Sequence, residues 1–480
     1  MKRLFLFIVL LAILFTNTVF AEEGYLGYEG GLSTYKDVDP KKTKIDYYEY
    51  SFVTGKPVLL TGTVDVKIKS TKTQDSLSYS YDLSDDTGKI TIKRSVKLSG
   101  KTTTQPNGSL SKDYKVTGYT ENLTVNGSVY KLNSWSFSKS SAVDLNVSVN
   151  FFQGEWNLEK KYDKGLIITS SGENYGYYGY WGNGEFQKIR TTIQTSTWEG
   201  YIDQNITLVQ KILLEFKDNN TPSSINGTYT LKSKIEGSID INYDLPLIST
   251  KTNTPTSLRV RDKITKKIDK SPIINMSVIP YLPKLKGYIY ENAINTAFAF
   301  GGFDKPESFV PNEYITRGEF SKLLMQLLNT YSTYYNPKTT RKVAIFKDVP
   351  TNHPYYGYIY AVNKANLMQG KGSNTFKPDD YITNVEAAYV ISKALGFNKK
   401  INTAANITPF IDDQKIPSWA KDSIYLLKQS DILLSNESNQ FLPNDKLTKG
   451  QAAQLLLNLI NYLRQGIADS YINLTIFHNE

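Results

Sequence analysis

Over residues 22–280 apolar and polar side chains alternate in short runs. Val64-Asp65-Val66-Lys67-Ile68, Leu77-Ser78-Tyr79-Ser80-Tyr81, Lys89-Ile90-Thr91-Ile92-Lys93 and Leu145-Asn146-Val147-Ser148-Val149 all place an apolar residue at every second position. Successive side chains of a strand point to opposite faces, so this period of two predicts half-buried antiparallel strands. Asp86-Thr87-Gly88, Asn107-Gly108, Asn126-Gly127 and Asn226-Gly227 supply hairpin turns between the runs. Long strands joined by short turns predict an all-β region built as a meander, a sandwich or an open barrel.

Beyond residue 280 the period changes. Phe320, Leu323, Leu324, Leu327 and Leu328, and again Ala452, Leu455, Leu456, Leu459 and Ile460, follow the spacing of one helix face. Between the two regimes, residues 261–270 are densely charged and lead into Ser271-Pro272. Residues 261–283 therefore read as a linker or as the last strand. At the other end, Lys2 and Arg3 precede an apolar run over residues 4–15, and Val19-Phe20-Ala21 offers a small-residue cleavage site. That is the layout of an export leader over residues 1–21, cleaved near Ala21. No later stretch is apolar enough to span a bilayer.

One pattern recurs three times in the helical region. Phe309-Val310-Pro311-Asn312-Glu313-Tyr314-Ile315-Thr316 aligns with Phe376-Lys377-Pro378-Asp379-Asp380-Tyr381-Ile382-Thr383 and with Phe441-Leu442-Pro443-Asn444-Asp445-Lys446-Leu447-Thr448. The threonines are 67 and 65 residues apart, the mark of duplicated units. Thr316 with Glu319, Thr383 with Glu386 and Thr448 with Gln451 have capping-box spacing, so each copy is expected to open a helix there. Upstream, Phe346-Lys347-Asp348 and Phe410-Ile411-Asp412 open the second and third copies, whereas the first copy lacks this element.

The sequence Phe-x-Asp, helix, Gly, Phe-x-Pro, then Ile315-Thr316-Arg317-Gly318-Glu319, resembles the S-layer homology motif. The likeness covers about the last two-fifths of the chain, with copies at 284–331, 342–397 and 406–465. It implies an all-α pseudo-trimer with grooves between copies, bound non-covalently to a secondary cell-wall polysaccharide that often carries pyruvate ketals. A helix N-terminus with free amides beside a guanidinium suits such a carboxylate. The resemblance thus makes Arg317 a ligand residue. Lys449 stands at the same position in the third copy, and Asn384, without charge, in the second. Asp348 and Asp412 are candidates for sugar hydroxyls, though an aspartate before a helix is first a cap. Tyr355 and Trp419 are candidates for stacking on a sugar face.

The chain has no cysteine and two histidines, His353 and His478. Disulfides, thiolate chemistry, a multi-histidine metal centre and a Ser-His-Asp triad are therefore not expected, nor is any cofactor. The formal charge of +10, or +8 without Lys2 and Arg3, suits an acidic wall polymer, and no nucleic-acid partner is expected. Residues 22–260 carry no nucleophile motif, and Glu155, Glu159, Glu173 and Glu199 cannot be paired by sequence. Tyr175-Gly176-Tyr177-Tyr178-Gly179-Tyr180-Trp181-Gly182 reads as a twisted strand pair before it reads as a sugar-stacking platform. The expected protein is an exported envelope protein, anchored through its C-terminal copies, whose β-rich half is a structural or binding module. A surface-tethered polysaccharide-active enzyme and a small lattice subunit are the alternatives, and self-association is left open.

Overall fold

The computed structural model describes residues 30–33, 44–216, 228–278, 282–399, 407–465 and 467, apart from residues 72, 107 and 253. The expected leader, His478, Asn107 and the Asn226-Gly227 turn lie outside the described residues.

Period-two alternation produces one antiparallel sheet. Its first half comprises β1 (Gly31–Ser33), β2 (Lys44–Ser51), β3 (Val58–Ser70), β4 (Gln74–Ser84), β5 (Ile90–Thr104), β6 (Leu110–Val125) and β7 (Ser128–Asp144). The second half comprises β8 (Asn150–Tyr162), β9 (Ile167–Tyr178), β10 (Gly182–Gln194), β11 (Glu199–Phe216), β12 (Thr228–Ile248), β13 (Pro255–Lys270) and β14 (Ile273–Val278). Strands β1 to β13 pair in sequence order as a meander, and β14 adds to β12. The β6–β7 hairpin turns on Asn126 (φ 48°) and Gly127 (φ 80°), two left-handed residues of the kind a tight two-residue loop needs. Residues 261–270 are part of β13.

The sheet curls into a half-barrel around its own buried face. Leu77, Tyr79, Tyr81 and Leu83 of β4 share that face with Ile202, Ile206 and Leu208 of β11. The curl returns β2 toward the far edge, where Lys270 Nζ of β13 lies 2.8 Å from Asp46 Oδ2. Inside, Arg94 is held between Glu49 (3.0 Å) and Glu121 (2.5 Å), Lys160 lies 3.3 Å from Glu121, and Tyr162 donates its hydroxyl to the same carboxylate. All of these side chains are buried, so the carboxylates and cations depend on one another for the solvation that water no longer supplies.

The helical region comprises α1 (Glu291–Ala299), α2 (Arg317–Leu327), α3 (Tyr331–Tyr334), α4 (Tyr356–Lys364), α5 (Asn384–Leu395), α6 (Ser418–Gln429) and α7 (Lys449–Arg464). The three helices that follow the repeated pattern each pack on the first helix of another copy: α2 on α4, α5 on α6, and α7 on α1. Their entry segments meet in a closed ring. Ile315 N donates to Leu447 O (2.9 Å), Leu447 N to Ile382 O (3.1 Å) and Ile382 N to Ile315 O (3.2 Å). No helix among the described residues is long and apolar enough to cross a membrane.

The two regions share a core. Phe151, Tyr177, Trp181, Tyr229 and Leu231 of the sheet pack with Ala297, Leu327, Ala394 and Leu463 of the helices. Helix ends leave carbonyl groups without intrahelical partners, and the sheet supplies donors for them. Ser148 donates to Ala394 O from both N (3.0 Å) and Oγ (2.8 Å), and Tyr229 OH donates to Ala299 O (3.3 Å). Here the alternation over Leu145 to Val149 misleads. That run is the loop between β7 and β8, because Ser148 pairs with a helix end rather than with a neighbouring strand.

Candidate functional site

Three equivalent sites form where a capped helix of one copy meets the loop of another. Thr316, Thr383 and Thr448 each accept the N3 amide, and Glu319, Glu386 and Gln451 each accept the cap's own amide, so all three helices open on a complete capping box. The next amides are taken as well. Arg317 N and Gly318 N donate to Asp380 O (2.8 Å) and Pro378 O (2.9 Å); Asn384 N and Val385 N to Asp445 O (2.9 Å) and Pro443 O (3.0 Å); Lys449 N and Gly450 N to Glu313 O (2.8 Å) and Pro311 O (2.9 Å). The expectation of free first-turn amides is therefore corrected: neighbouring carbonyls occupy them, which is what joins the copies.

The residue after each cap extends the same joint. Arg317 donates from Nε to Phe376 O and from Nη2 to Gln369 O, both at 3.0 Å, while Nη1 lies 3.6 Å from Glu386. Its guanidinium also stacks over Phe376, and the side chain is 5% exposed. Burial pulls the Arg317 pKa below its ordinary value, against the raising effect of Glu386, Asp380 and Asp348. Asn384 Nδ2 makes the corresponding reach to Phe441 O (3.1 Å) and Leu442 O (2.9 Å). Lys449 instead turns to Glu313 (2.8 Å) and Glu319 (3.4 Å).

Asp348 and Asp412 sit behind these carbonyls. Asp348 accepts from Phe376 N (2.9 Å) and Lys377 N (2.7 Å), and Asp412 from Phe441 N (2.8 Å) and Leu442 N (2.9 Å). Lys377 (φ 58°) and Leu442 (φ 55°) both adopt the left-handed conformation. Each carboxylate thus holds in place a backbone that a side chain disfavours. The first copy has no such aspartate, and Val310, at the equivalent position, is not left-handed.

Aromatic rings line the joints. Tyr355 lies against Gly318, where a Cβ would stand 2.8 Å from its ring; Tyr290 lies against Gly450 at 2.9 Å by the same measure. Glycine at these helix starts therefore has a packing reason. Burial, followed by the carboxylates of Glu319, Asp304 and Asp379, pushes the Tyr355 hydroxyl up to about 12. Trp419 is 55% exposed and meets Tyr389 edge-on at 5.0 Å.

The structure brings Arg317, Asp348 and Tyr355 to one joint, Asp412 to the joint that Asn384 enters, and Lys449 to the third. Sequence reasoning missed Tyr290, Lys371 and Tyr389. Tyr290 was readable, since it precedes Ile294 by four residues as Tyr355 precedes Ile359. Lys371, 2.9 Å from Glu386, comes from a loop that no local pattern marks.

Residues 345–388 and 409–453 match the S-layer homology domain. The chain is 31% identical over 155 residues to exoglucanase XynX of Acetivibrio thermocellus, covering 32% of this chain and 13% of that protein. It is 30% identical over 155 residues to an amylopullulanase of Thermoanaerobacterium thermosulfurigenes, covering 32% of this chain and 8% of that protein. Over 148 residues it is 28% identical to an S-layer protein of Bacillus thuringiensis subsp. finitimus, covering 31% of this chain and 17% of that one. The chain thus spans a small part of each relative's length. Its helical region carries S-layer homology motifs, which indicate a cell-surface, cell-wall-associated protein. Two of its copies carry the family match, and the first lies outside both matched stretches.

Proposed function

We propose that the chain is exported by its leader and held non-covalently on a secondary cell-wall polysaccharide by three S-layer homology units arranged about a pseudo-threefold axis. The closed ring through Ile315, Ile382 and Leu447 carries this reading, because it treats the unmatched first copy as the equal of the other two. The polymer would lie in the joints between copies. Lys449, Lys371 and the Nη1 edge of Arg317 supply positive charge there, and each faces a carboxylate that an anionic ligand would displace. Asp348 and Asp412 shape the loops, while Trp419 and Tyr355 offer ring faces. The β half, docked on the helix ends, is a structural or binding module.

The test is co-sedimentation of the mature chain with purified sacculi before and after removal of pyruvate ketals, alongside Lys449→Ala and Trp419→Ala. Binding that falls on ketal removal and weakens about fivefold or more in either variant supports the reading, a loss of about 1 kcal/mol. A mature chain that stays in solution with untreated sacculi ends it.

A further inference from the structure

The outward face of β8 to β11 holds a trough of about 490 Å³, lined by none of the residues that form the joints between copies. Its volume falls within the range of ligand sites, about 300–1,000 Å³. Strand register builds it. Glu155 of β8 stands directly opposite Glu173 of β9, Glu173 opposite Lys188 of β10, and Lys188 opposite Asn205 of β11. One step along the strands, Arg190 and Asp203 form the next row, 3.4 Å apart.

Three observations single this surface out. Like charges facing each other across a strand pair destabilise a sheet, and Glu155 and Glu173 do so. Lys188 adjoins Glu173, yet among the described residues none of these three exposed side chains makes an ion pair or hydrogen bond, so their donors and acceptors remain available. On the other side of the row, Tyr175 of β9 stacks with its cross-strand partner Phe186 of β10, ring centroids 5.2 Å apart and planes 15° apart. Both rings are partly exposed; they lie beside the trough, outside its lining, and also pack against the core shared with the helices.

We propose that this trough binds a linear oligosaccharide of uncharged hexose or N-acetylhexosamine units. Carboxylates accept from sugar hydroxyls, Lys188 and Asn205 donate to them, and the flat Tyr175–Phe186 pair meets the C–H face of a ring. Acidic and basic groups balance closely along the two rows, which fits an uncharged ligand better than a polyanion. The site is independent of wall anchoring, and the shared core carries both on one body.

The experiment titrates the full mature chain with cellotetraose, maltotetraose and chitotetraose by calorimetry and saturation-transfer NMR, with Glu173→Gln, Lys188→Ala and the control Glu159→Gln. At least one sugar is expected to bind with a Kd on the order of 1 mM or tighter. Glu173→Gln and Lys188→Ala should each weaken it about tenfold, with Glu159→Gln and sacculus binding unchanged. The proposal is overturned if no tetrasaccharide binds, if the variants bind as the parent does, or if Ca²⁺ occupies the trough and the sugars do not.

Discussion

The indole N–H of Trp181, in the turn between β9 and β10, donates to the carbonyl oxygen of Leu327 at 2.6 Å, closing the C-terminal end of α2 with a group from the sheet. Ala394 stands as far from its capping threonine in α5 as Leu327 does in α2, and it takes the Ser148 donors. The sheet therefore docks equivalent helix ends, opposite the ends where the copies join. Beside Trp181, a Cβ on Gly182 would overlap the Leu463 carbonyl. Trp181→Phe should lose about 1–2 kcal/mol, the worth of one buried hydrogen bond with its acceptor left unpaired. Gly182→Ala should cost about 1–3 kcal/mol through overpacking. In calorimetry the parent should unfold in one transition, and both variants should melt earlier or split; two transitions in the parent, indifferent to Trp181, would show that the docking carries no energy.

Glu121 couples the half-barrel to pH. Burial alone would raise its pKa, but the charges of Arg94 and Lys160 and the hydrogen bonds from Tyr162 and Arg94 outweigh it, so the carboxyl lies far below its ordinary value of 4.5. A depressed folded pKa contributes stability that is complete above the unfolded value and is lost as pH falls toward the folded one. Glu121→Gln should cost about 3–5 kcal/mol near neutrality, because it leaves Arg94 and Lys160 buried with too little countercharge. The exposed Lys161–Glu159 pair should matter little, with Glu159→Gln within about 0.5 kcal/mol. Urea denaturation at stepped pH should show the gap between parent and Glu121→Gln narrowing below pH 4.5; a constant gap would contradict the assignment.

Much of this was legible in the residues. The strand alternation is visible because one sheet face is buried and the other wet, and the capping boxes are visible because their chemistry is local. Leu145 to Val149 failed as a strand because Ser148 answers to Ala394, some 246 residues away, and no local pattern carries that contact. The Glu155–Glu173 pairing was not readable for a similar reason: register across a hairpin is set by the whole β8–β9 strand pair. At the joints between copies, the sequence shows which side chains are charged. It does not show that Arg317 spends its donors on Phe376 and Gln369 carbonyls.

Asp348 and Lys377 make a balanced pair. The left-handed Lys377 costs about 1–2 kcal/mol relative to glycine, and the Asp348 carboxylate offsets that by accepting two amides. Burial raises the Asp348 pKa, but the amides of Phe376 and Lys377 lower it by more, leaving it below its ordinary 3.8. Lys377→Gly should therefore gain about 1 kcal/mol. Asp348→Ala should lose about 2–4 kcal/mol at neutral pH, with its penalty shrinking as pH falls below about 4, where the unfolded carboxyl takes up its proton. Chemical denaturation of both variants at pH 7 and pH 3 checks the signs, and a stabilising Asp348→Ala would remove the aspartate's role.

Gly318 and Tyr355 provide the sharpest test of how the joint is built. Alanine is the better helix former by about 1 kcal/mol, so Gly318→Ala on an open helix start would stabilise. Here the added methyl would stand 2.8 Å from the Tyr355 ring and 3.2 Å from Pro378 O. The ring or the loop must move, at a cost of about 1–3 kcal/mol that exceeds the propensity gain. In a Tyr355→Ala background the ring is gone and only the contact with Pro378 remains, so Gly318→Ala should become neutral or stabilising. A double-mutant cycle followed by denaturant unfolding should thus return a coupling of at least about 1 kcal/mol, with the sign of the Gly318 effect depending on Tyr355. Additive effects would mean that Tyr355 does not press on the helix start, and its place in the joint would have to be redrawn.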